Sequence, residues 1–423
     1  MVAQVGVISA ELDHTIDKRK TMKTFEDLEQ RGLIKQTTNA EKLRELLNSD
    51  TPVTFYIGFD PTADSLHVGH LLQVVTAKRL ADAGHNPIML VGGATALIGD
   101  PTGKSEMRKM LTHSDVRVHG EAIGEQIQKI MGKEVELRNN LTWFDDADFL
   151  SLLRTIGPFF SVNNMLRAEC FKSRLEHGLS FLEFNYMIMQ AQDFRMLHLE
   201  ENCILQIGGD DQWSNMLAGI DLIHKKHGHE VFGLTLPLLV NSDGTKMGKT
   251  EKGAVWLDPA KTPPSEFFQF WRNIPDDKVK DCINFFTDFN PFSQEDQFSN
   301  INQAKKFLAF EVTKLVHGES IARLTLEQAE ALFEKRDTSV LEAIPITEGT
   351  NVLDALIKCG FAKSRTDGRN LIGNRGITIN QEVLTDPTTI ISRTKFGNEL
   401  VVQKGKKNFC RLLIEDKCLD QNP

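Results

Sequence analysis

Cysteine is sparse in this chain. Among 423 residues the six cysteines, Cys170, Cys203, Cys282, Cys359, Cys410 and Cys418, form no C-x-x-C pair. That scatter excludes a disulfide-stapled scaffold and reads as reduced thiols in a cytoplasmic protein. Long apolar runs are missing too. The longest, Leu234 to Val240, is broken by Thr235 and Pro237. A membrane helix needs about 20 apolar residues, so no span is expected. The first 22 residues lack the apolar core of a signal peptide, and Glu11, Asp13 and Asp17 oppose reading Lys18, Arg19 and Lys20 as part of a transit peptide. Residues 1–22 are read as a flexible extension. No internal repeat of the solenoid kind is present. Tyrosine is almost absent: Tyr56 and Tyr186 stand against 26 phenylalanines. A composition that uses Phe nearly everywhere implies that the two phenols are there to hydrogen-bond.

What remains is an ordinary globular composition, 40% apolar and 25% charged. The length predicts two to four domains at roughly 150 residues each. The net charge of −9 conceals an asymmetry, because residues 351–414 carry 11 Lys/Arg against 5 Asp/Glu. A basic module on an acidic body points to a polyanionic partner met mainly through the C-terminus.

Residues 53–59 (VTFYIGF) predict a buried strand. Ser65 is the expected N-cap of a helix over 66–83, and 87–91 (PIMLV) predicts a second strand before Gly92-Gly93. Strand, helix, strand at this spacing is a βαβ unit, so a parallel sheet is expected. Residues 203–207 repeat the theme, followed by Gly208-Gly209 and a helix from about Asp211. In such sheets ligands gather where strands end and helices begin. Residues 265–335 read as mostly helical, with Ser265 as N-cap. Beyond a linker at 336–350, residues 351–414 read as a small α+β unit, with helices near 352–359 and from Arg365 to near Gly376.

Four segments carry chemistry. His67-Val68-Gly69-His70 opens a helix, and imidazoles at i, i+3 share a face. At a helix N-terminus they suit an anion. A surface pair or two metal ligands are the alternatives, but no third ligand stands at zinc spacing. Gly69 is expected to let a flat ligand approach the backbone. Lys246-Met247-Gly248-Lys249-Thr250, between Asp243-Gly244 and Lys252-Gly253, offers two lysines and a hydroxyl on a loop able to close over a triphosphate; an ordinary polar turn is the alternative. Gly99 to Ser105 misses a P-loop because Ile98 stands where the first glycine is required; Lys104 remains a phosphate candidate. Segment 181–197 (FLEFNYMIMQAQDFRML) is apolar almost all round, predicting a buried helix. Yet Tyr186, Gln190 and Asp193 fall on one stripe. Buried polar groups left unpaired cost about 1–3 kcal/mol each, so the stripe demands either an internal network or a small polar ligand.

In this order, GFDPTADSLHVGHL, LVGGATALIGDPTGK, YMIMQAQDF, LQIGGDDQW and DGTKMGKT resemble the class I aminoacyl-tRNA synthetases, and within them the bacterial-type tyrosyl branch. The resemblance runs from about Thr24 to Ile414. It implies an α/β fold: a Rossmann-like parallel-sheet catalytic domain (23–261), an α-helical anticodon-binding domain (262–335), the linker (336–350), a small α+β RNA-binding domain of the ribosomal-protein type (351–414) and a tail (415–423). It implies that Tyr56 and Asp193 bond the substrate phenol, that Asp100, Tyr186 and Gln190 hold its α-ammonium, and that Gln212 lies near its carboxylate. Gly58, Asp60, Gly69, Gly209, Asp211 and Lys249 would line the ATP site. Thr62, His67, His70, Lys104, Arg108, Lys246, Lys249 and Thr250 would act on the phosphates. Lys363, Arg365, Arg369, Arg375, Lys404, Lys406 and Lys407 would meet tRNA.

The implied partners are L-tyrosine, ATP with accompanying Mg²⁺, tRNA(Tyr) and a second copy of the chain, with residues 157–185 the expected contact. No resident metal is implied. The implied activity is tyrosine–tRNA ligation. A tryptophan-specific relative and a non-catalytic RNA-binding protein are the competing readings, opposed respectively by the Tyr56/Asp193 pair and by the intact histidine and lysine sets. Three positions depart from the usual pattern: Val68 for isoleucine, Gly248 for the serine of the general class, and Gln192 where an aromatic residue is common.

Overall fold

The apolar runs become strands β2 (Thr54–Phe59), β3 (Asn86–Val91), β5 (Leu205–Gly209) and β6 (Phe232–Leu236), and two polar segments add β1 (Gln36–Thr37) and β4 (Glu136–Asn139). They form one sheet in the order β1-β6-β5-β2-β3-β4. Every pairing is parallel except that of β1 with β6. Strands β5 and β6 are buried at every residue, as expected of parallel strands covered on both faces. The computed structural model describes residues 23–102, 110–145, 147–175, 177–250, 253–289, 300–333, 338–341, 343–405 and 408–415. The chain divides into two units, Met1–Ala322 and Arg323–Pro423.

In the first unit, helix α1 (Val68–Asp82) follows β2, α2 (Tyr186–Glu201) precedes β5, and α3 (Trp213–His227) links β5 to β6. The N-cap of α1 is His67, not Ser65. The reason is reciprocal bonding: His67 Nδ1 accepts the Gly69 N–H at 3.0 Å and His70 Nδ1 accepts the His67 N–H at 3.3 Å. The Ser65 hydroxyl instead donates to the Leu66 carbonyl at 2.8 Å.

The apolar segment 181–197 is broken. Phe181–Phe184 is a separate turn of helix capped by Ser180, and Phe181 is 71% exposed rather than buried. Helix α2 begins at Tyr186 and keeps Tyr186, Asp193 and Phe194 buried.

Further on, Pro264–Arg272, Val279–Phe286 and Ile301–His317 are helical, the first entered through Pro263 rather than Ser265. Phe267, Phe268 and Trp271 are fully buried there. Val279–Phe286 packs on α1, and Arg31 fastens its end by donating to the carbonyls of Asn284 and Thr287 at 2.9 and 3.1 Å.

The second unit is α+β. Strands β7 (Ala343–Thr347), β8 (Ile377–Ile379), β9 (Glu382–Val383), β10 (Glu399–Lys404) and β11 (Asn408–Glu415) lie in the order β9-β8-β10-β11-β7. Helices α4 (Val352–Lys358) and α5 (Arg365–Gly373) contribute Val352, Leu353, Leu356 and Ile372 to a core shared with Ile377, Val402, Leu412 and Ile414. Strand β7 occupies part of the span expected as linker. It pairs in parallel with β11, and Ile346 is buried.

Candidate active site

The site lies at the carboxyl ends of β2, β3 and β5, where parallel α/β sheets place ligands. Asp60 follows β2. Its Oδ2 accepts the Tyr186 hydroxyl at 2.8 Å and its Oδ1 accepts the Thr95 hydroxyl at 2.7 Å. A Cβ on Gly92 would collide with the Asp60 carboxylate, so only glycine at the end of β3 admits it.

From Thr95 the bonding continues. Asn140 Nδ2 donates to Thr95 Oγ1 at 3.1 Å and to Asp193 Oδ2 at 3.1 Å, while its own Oδ1 accepts the Ala94 N–H at 2.7 Å. Trp143 Nε1 donates to the other Asp193 oxygen at 2.9 Å. One hydrogen-bonded frame thus joins Tyr186, Asp60, Thr95, Asn140, Asp193 and Trp143.

Two polar atoms in this region have no hydrogen-bond partner among the described residues: the buried hydroxyl of Tyr56 and Oε1 of Gln190. Tyr56 is 1% exposed, and its ring centroid is 5.3 Å from that of Phe194. Oε1 of Gln206, which faces Tyr56 in the β2/β5 register, is a third. Burial raises the Asp193 carboxyl to about 8, against the bonds from Trp143 and Asn140 that favour its charge; the nearby Asp60 pushes it further up. Burial, then the charge of Asp193, holds the Tyr56 phenol well above its ordinary value. Burial, then Asp60 and Asp100, does the same to Tyr186. Unpaired acceptors and donors sealed from water are costly, and a ligand hydroxyl and ammonium would pair them.

Next to this frame Asp100, 8% exposed, accepts Gln212 Nε2 at 2.8 Å and the Thr102 N–H at 2.9 Å. Asn215 donates in turn to Gln212 Oε1 at 3.1 Å. Of the residues expected at the ammonium, Tyr186 bonds Asp60 and Asp100 bonds Gln212, and Asp100 is near enough to Tyr186 to act on its phenol.

A second part of the site is built from α1 and the segment after β6. The His67 and His70 rings stack with centroids 3.8 Å apart, 12° from parallel. Since each Nδ1 accepts a backbone N–H, the proton of each neutral ring sits on Nε2. Gly69 also serves this packing, because a Cβ there would lie 2.8 Å from the His67 ring. The two motifs, some 180 positions apart in sequence, meet directly. The Val68 N–H donates to the Val255 carbonyl at 3.0 Å, and the Val255 N–H to the Gly248 carbonyl at 2.8 Å. Gly248, at φ +86°, faces Val68, and a Cβ there would lie 3.3 Å from that of Val68. Two of the three departures from the usual pattern, Val68 and Gly248, thus occupy one contact.

Lys246 pairs with Asp211 at 3.0 Å, and Asp211 borders Gly209. Gly58 is exposed at the end of β2, and Thr62 is exposed with its N–H on the Asp60 carbonyl at 2.8 Å. Lys104 and Arg108 lie outside the described residues, as do the side chains of Lys249 and Thr250. Among the described residues no group of three or more His, Cys, Asp or Glu is arranged to hold a metal ion.

The family model described as tRNA synthetases class I (W and Y) matches residues 48–334. This chain belongs to that family. It is a class I aminoacyl-tRNA synthetase, a ligase. The model for the SYY-like C-terminal domain of tyrosine–tRNA ligases matches residues 331–412 of this synthetase. A tyrosine–tRNA ligase of Acetivibrio thermocellus is 48% identical to it over 406 residues, 92% of this chain and 99% of the relative. One from Clostridium botulinum strain Hall is 47% identical over 405 residues, with the same coverages of 92% and 99%. Among solved structures, a C-terminally truncated mitochondrial tyrosyl-tRNA synthetase of Aspergillus nidulans has a TM-score of 0.66 at 29% identity, covering 77% of this chain and 98% of that one.

In the second unit Lys363, Arg365, Arg369 and Arg375 are exposed, and Lys404 is half-buried. Arg365 is engaged by Asp354 through two bonds of 2.7 and 2.5 Å. Lys404 Nζ donates to the Phe361 carbonyl at 2.9 Å. Lys406 and Lys407 lie outside the described residues, as do residues 1–22 and 416–423.

Tyr56, Asp60, Tyr186 and Asp193, singled out by residue type and spacing, stand in or beside one hydrogen-bonded frame. Thr95, Asn140, Trp143, Gly92 and Gln206 had been missed, being ordinary residues far from any motif. The one available signal was the pair of polar residues, Asn139 and Asn140, ending a strand.

Proposed function

We propose that this synthetase activates L-tyrosine with ATP, giving tyrosyl-adenylate and pyrophosphate, and passes the tyrosyl group to the 3′ end of tRNA(Tyr). The observation that carries this reading is the unpaired Tyr56 hydroxyl sealed in beside the Asp193 carboxyl. A substrate phenol completes that pair, whereas an indole brings no hydroxyl to it. A site built to bond a hydroxyl disfavours the analogue lacking it, and tyrosyl-tRNA synthetases are the standard illustration of this rule.

The substrate carboxylate attacks the α-phosphorus of ATP, the new C–O–P bond forming as the bond to pyrophosphate breaks. The carboxylate is already ionised, so no general base is required. Catalysis is then positioning plus stabilisation of charge on phosphoryl oxygens. The Nε2–H groups of His67 and His70, together with Lys246, Lys249 and Thr250, act on that charge; Thr62, Lys104 and Arg108 assist from neighbouring loops. Asp100, Tyr186 and Gln190 hold the α-ammonium, and Gln212 the carboxylate. Gly58, Asp60, Gly69, Gly209 and Asp211 shape the nucleotide site. Mg²⁺ is expected to arrive on the ATP phosphates.

The helical region 262–335 is assigned to the anticodon, and the basic unit 351–414 to the tRNA through Lys363, Arg365, Arg369, Arg375 and Lys404. The protein is expected to work in the cytoplasm; among the described residues no helix is long and apolar enough to cross a membrane. A homodimer is expected through residues 157–185. Val162 at 57% and Phe181 at 71% exposure, with Leu166 and Leu175, are the apolar side chains that such a contact would cover. Sedimentation at micromolar concentration should report a dimer, and a monomer would remove this assignment.

ATP–pyrophosphate exchange across the twenty amino acids tests the main reading. Exchange driven by tyrosine is expected. Exchange driven by tryptophan alone would overturn it, and tRNA binding with no exchange at all would favour a non-catalytic RNA-binding protein.

A further inference from the structure

Residues 255–257 run back along the first turn of α1. The Val68 N–H donates to the Val255 carbonyl at 3.0 Å, and the Leu257 N–H to the Leu66 carbonyl at 2.9 Å. His67 and Trp256 therefore face each other across an isolated antiparallel bridge. The two bonds flank the pair without joining it, and pairs of that kind bring their side chains nearest. Leu66, Val68, Val255 and Leu257 are buried, whereas His67 and Trp256 are half-buried. Alternation thus puts both rings on the open face, with centroids 6.1 Å apart and planes 53° from parallel.

The indole is itself fixed. The Trp256 backbone N–H donates to Thr262 Oγ1 at 3.0 Å, and Thr262 is buried. Lys261 Nζ lies 5.4 Å from the indole centroid, within cation–π range, and pairs with Asp64 at 2.6 Å. A column of side chains, His70, His67, Trp256 and Lys261, ends on Asp64. A tryptophan left partly in water gives the core less than a buried one. What its position secures is the imidazole opposite.

We propose that Trp256 is a positioning residue for amino-acid activation, acting through His67 by holding its imidazole where Nε2–H meets a phosphoryl oxygen. This rests on the role proposed above for His67. The bond from the Gly69 N–H and the stack on His70 both come from the start of α1. Trp256 comes from outside that helix, and Val255 beside it bonds Gly248. The indole therefore sets the His67 ring relative to the loop that carries Lys246. Donors aimed at developing charge act by their placement, and a displacement of about 1 Å costs on the order of 10²-fold in rate. Removal of the indole leaves two restraints on the ring, so a smaller loss is expected, about 10-fold in kcat.

The experiment is a double-mutant cycle on the full-length protein, read by tyrosine-dependent ATP–pyrophosphate exchange in wild type, Trp256→Leu, His67→Ala and the double variant. Trp256→Leu should lower kcat about 10-fold and change tyrosine KM less than about twofold, and Trp256→Phe, which keeps a ring, should recover most of the loss. In the His67→Ala background Trp256→Leu should cost less than about twofold, because losses that act through one partner do not multiply. Equal losses with and without His67 would overturn the inference, since the indole would then act on its own or only support the fold. Unchanged exchange in Trp256→Leu would overturn it as well. If Trp256→Leu melts below the assay temperature, the same cycle is run with Trp256→Phe, whose smaller loss must also vanish without His67. Exchange insensitive to His67→Ala would remove the role of His67 and the inference with it. A wild type that exchanges with another amino acid instead of tyrosine would count against the proposed substrate alone, and the cycle is then read with that amino acid.

Discussion

At the proposed amino-acid end of the site Tyr56 and Asp193 are 1% and 2% exposed, whereas at the proposed nucleotide end Lys246 keeps 52% of its side chain in solvent. His67 and His70 lie between these extremes, half-buried at the mouth of α1. The amino-acid end is rigid before any ligand arrives: Asp193 is gripped by Trp143 and Asn140, and Asn140 is gripped by backbone. The nucleotide end depends on a loop whose lysine already pairs with Asp211. Burial makes a missing hydrogen bond expensive, and expense is what discriminates one side chain from another. Exposure lets charged groups move to oxygens whose charge grows only during reaction.

The comparison breaks most severely if the buried end is damaged without consequence. Asp193→Ala leaves the Trp143 donor and the substrate hydroxyl short of a partner, while Asn140 keeps Thr95. At about 1–3 kcal/mol for each of two unpaired groups, kcat/KM for tyrosine should fall about 10²–10⁴-fold. Circular dichroism should show the fold retained, and unchanged activation would refute the role of the residue.

At the exposed end, Lys249→Ala should lower kcat by about 10²-fold and leave tyrosine KM nearly untouched. A pure KM effect would mean that the loop serves binding rather than the transition state. Tyr56→Phe sharpens the contrast by removing one neutral hydrogen bond. Tyrosine activation should weaken about 2- to 10-fold, and the preference over phenylalanine should narrow.

A further effect falls on stability rather than activity. Burial raises the Asp193 carboxyl from 3.8 to about 8 in the ligand-free fold. An unfolded chain therefore loses this proton at lower pH than the folded one. The contribution is complete below the unfolded value and is lost as pH rises through about 8. Denaturant midpoints should fall over that window, and Asp193→Asn should flatten this part of the profile.

How much of this was legible in the sequence follows from the same contrast. The HVGH and KMGKT segments declare themselves because charge, glycine and spacing coincide locally, and their meeting through Val68, Gly248 and Val255 is what a parallel sheet brings about. The stripe Tyr186, Gln190, Asp193 was legible because polar residues are conspicuous on an apolar helix. The supports of Asp193 were not, since Thr95 follows β3 while Asn140 and Trp143 follow β4, segments distant in sequence that the β3/β4 pairing brings together. Local capping also misled: Ser65 is the better N-cap by type, but a histidine with a partner three residues on satisfies two backbone donors at once. Phe181 was placed in the core by periodicity and lies outside because the helix restarts at Tyr186. In the second unit, residues 343–347 carry too little pattern to announce a strand, and pairing with β11 makes them one.

The most direct test of the buried phenol pair is the ratio of kcat/KM for tyrosine to that for phenylalanine, measured by pyrophosphate exchange in the wild type and in Tyr56→Phe. A large ratio in the wild type is expected, reduced in the variant mainly through loss on tyrosine. Equal activation of the two amino acids by the wild type would contradict the account.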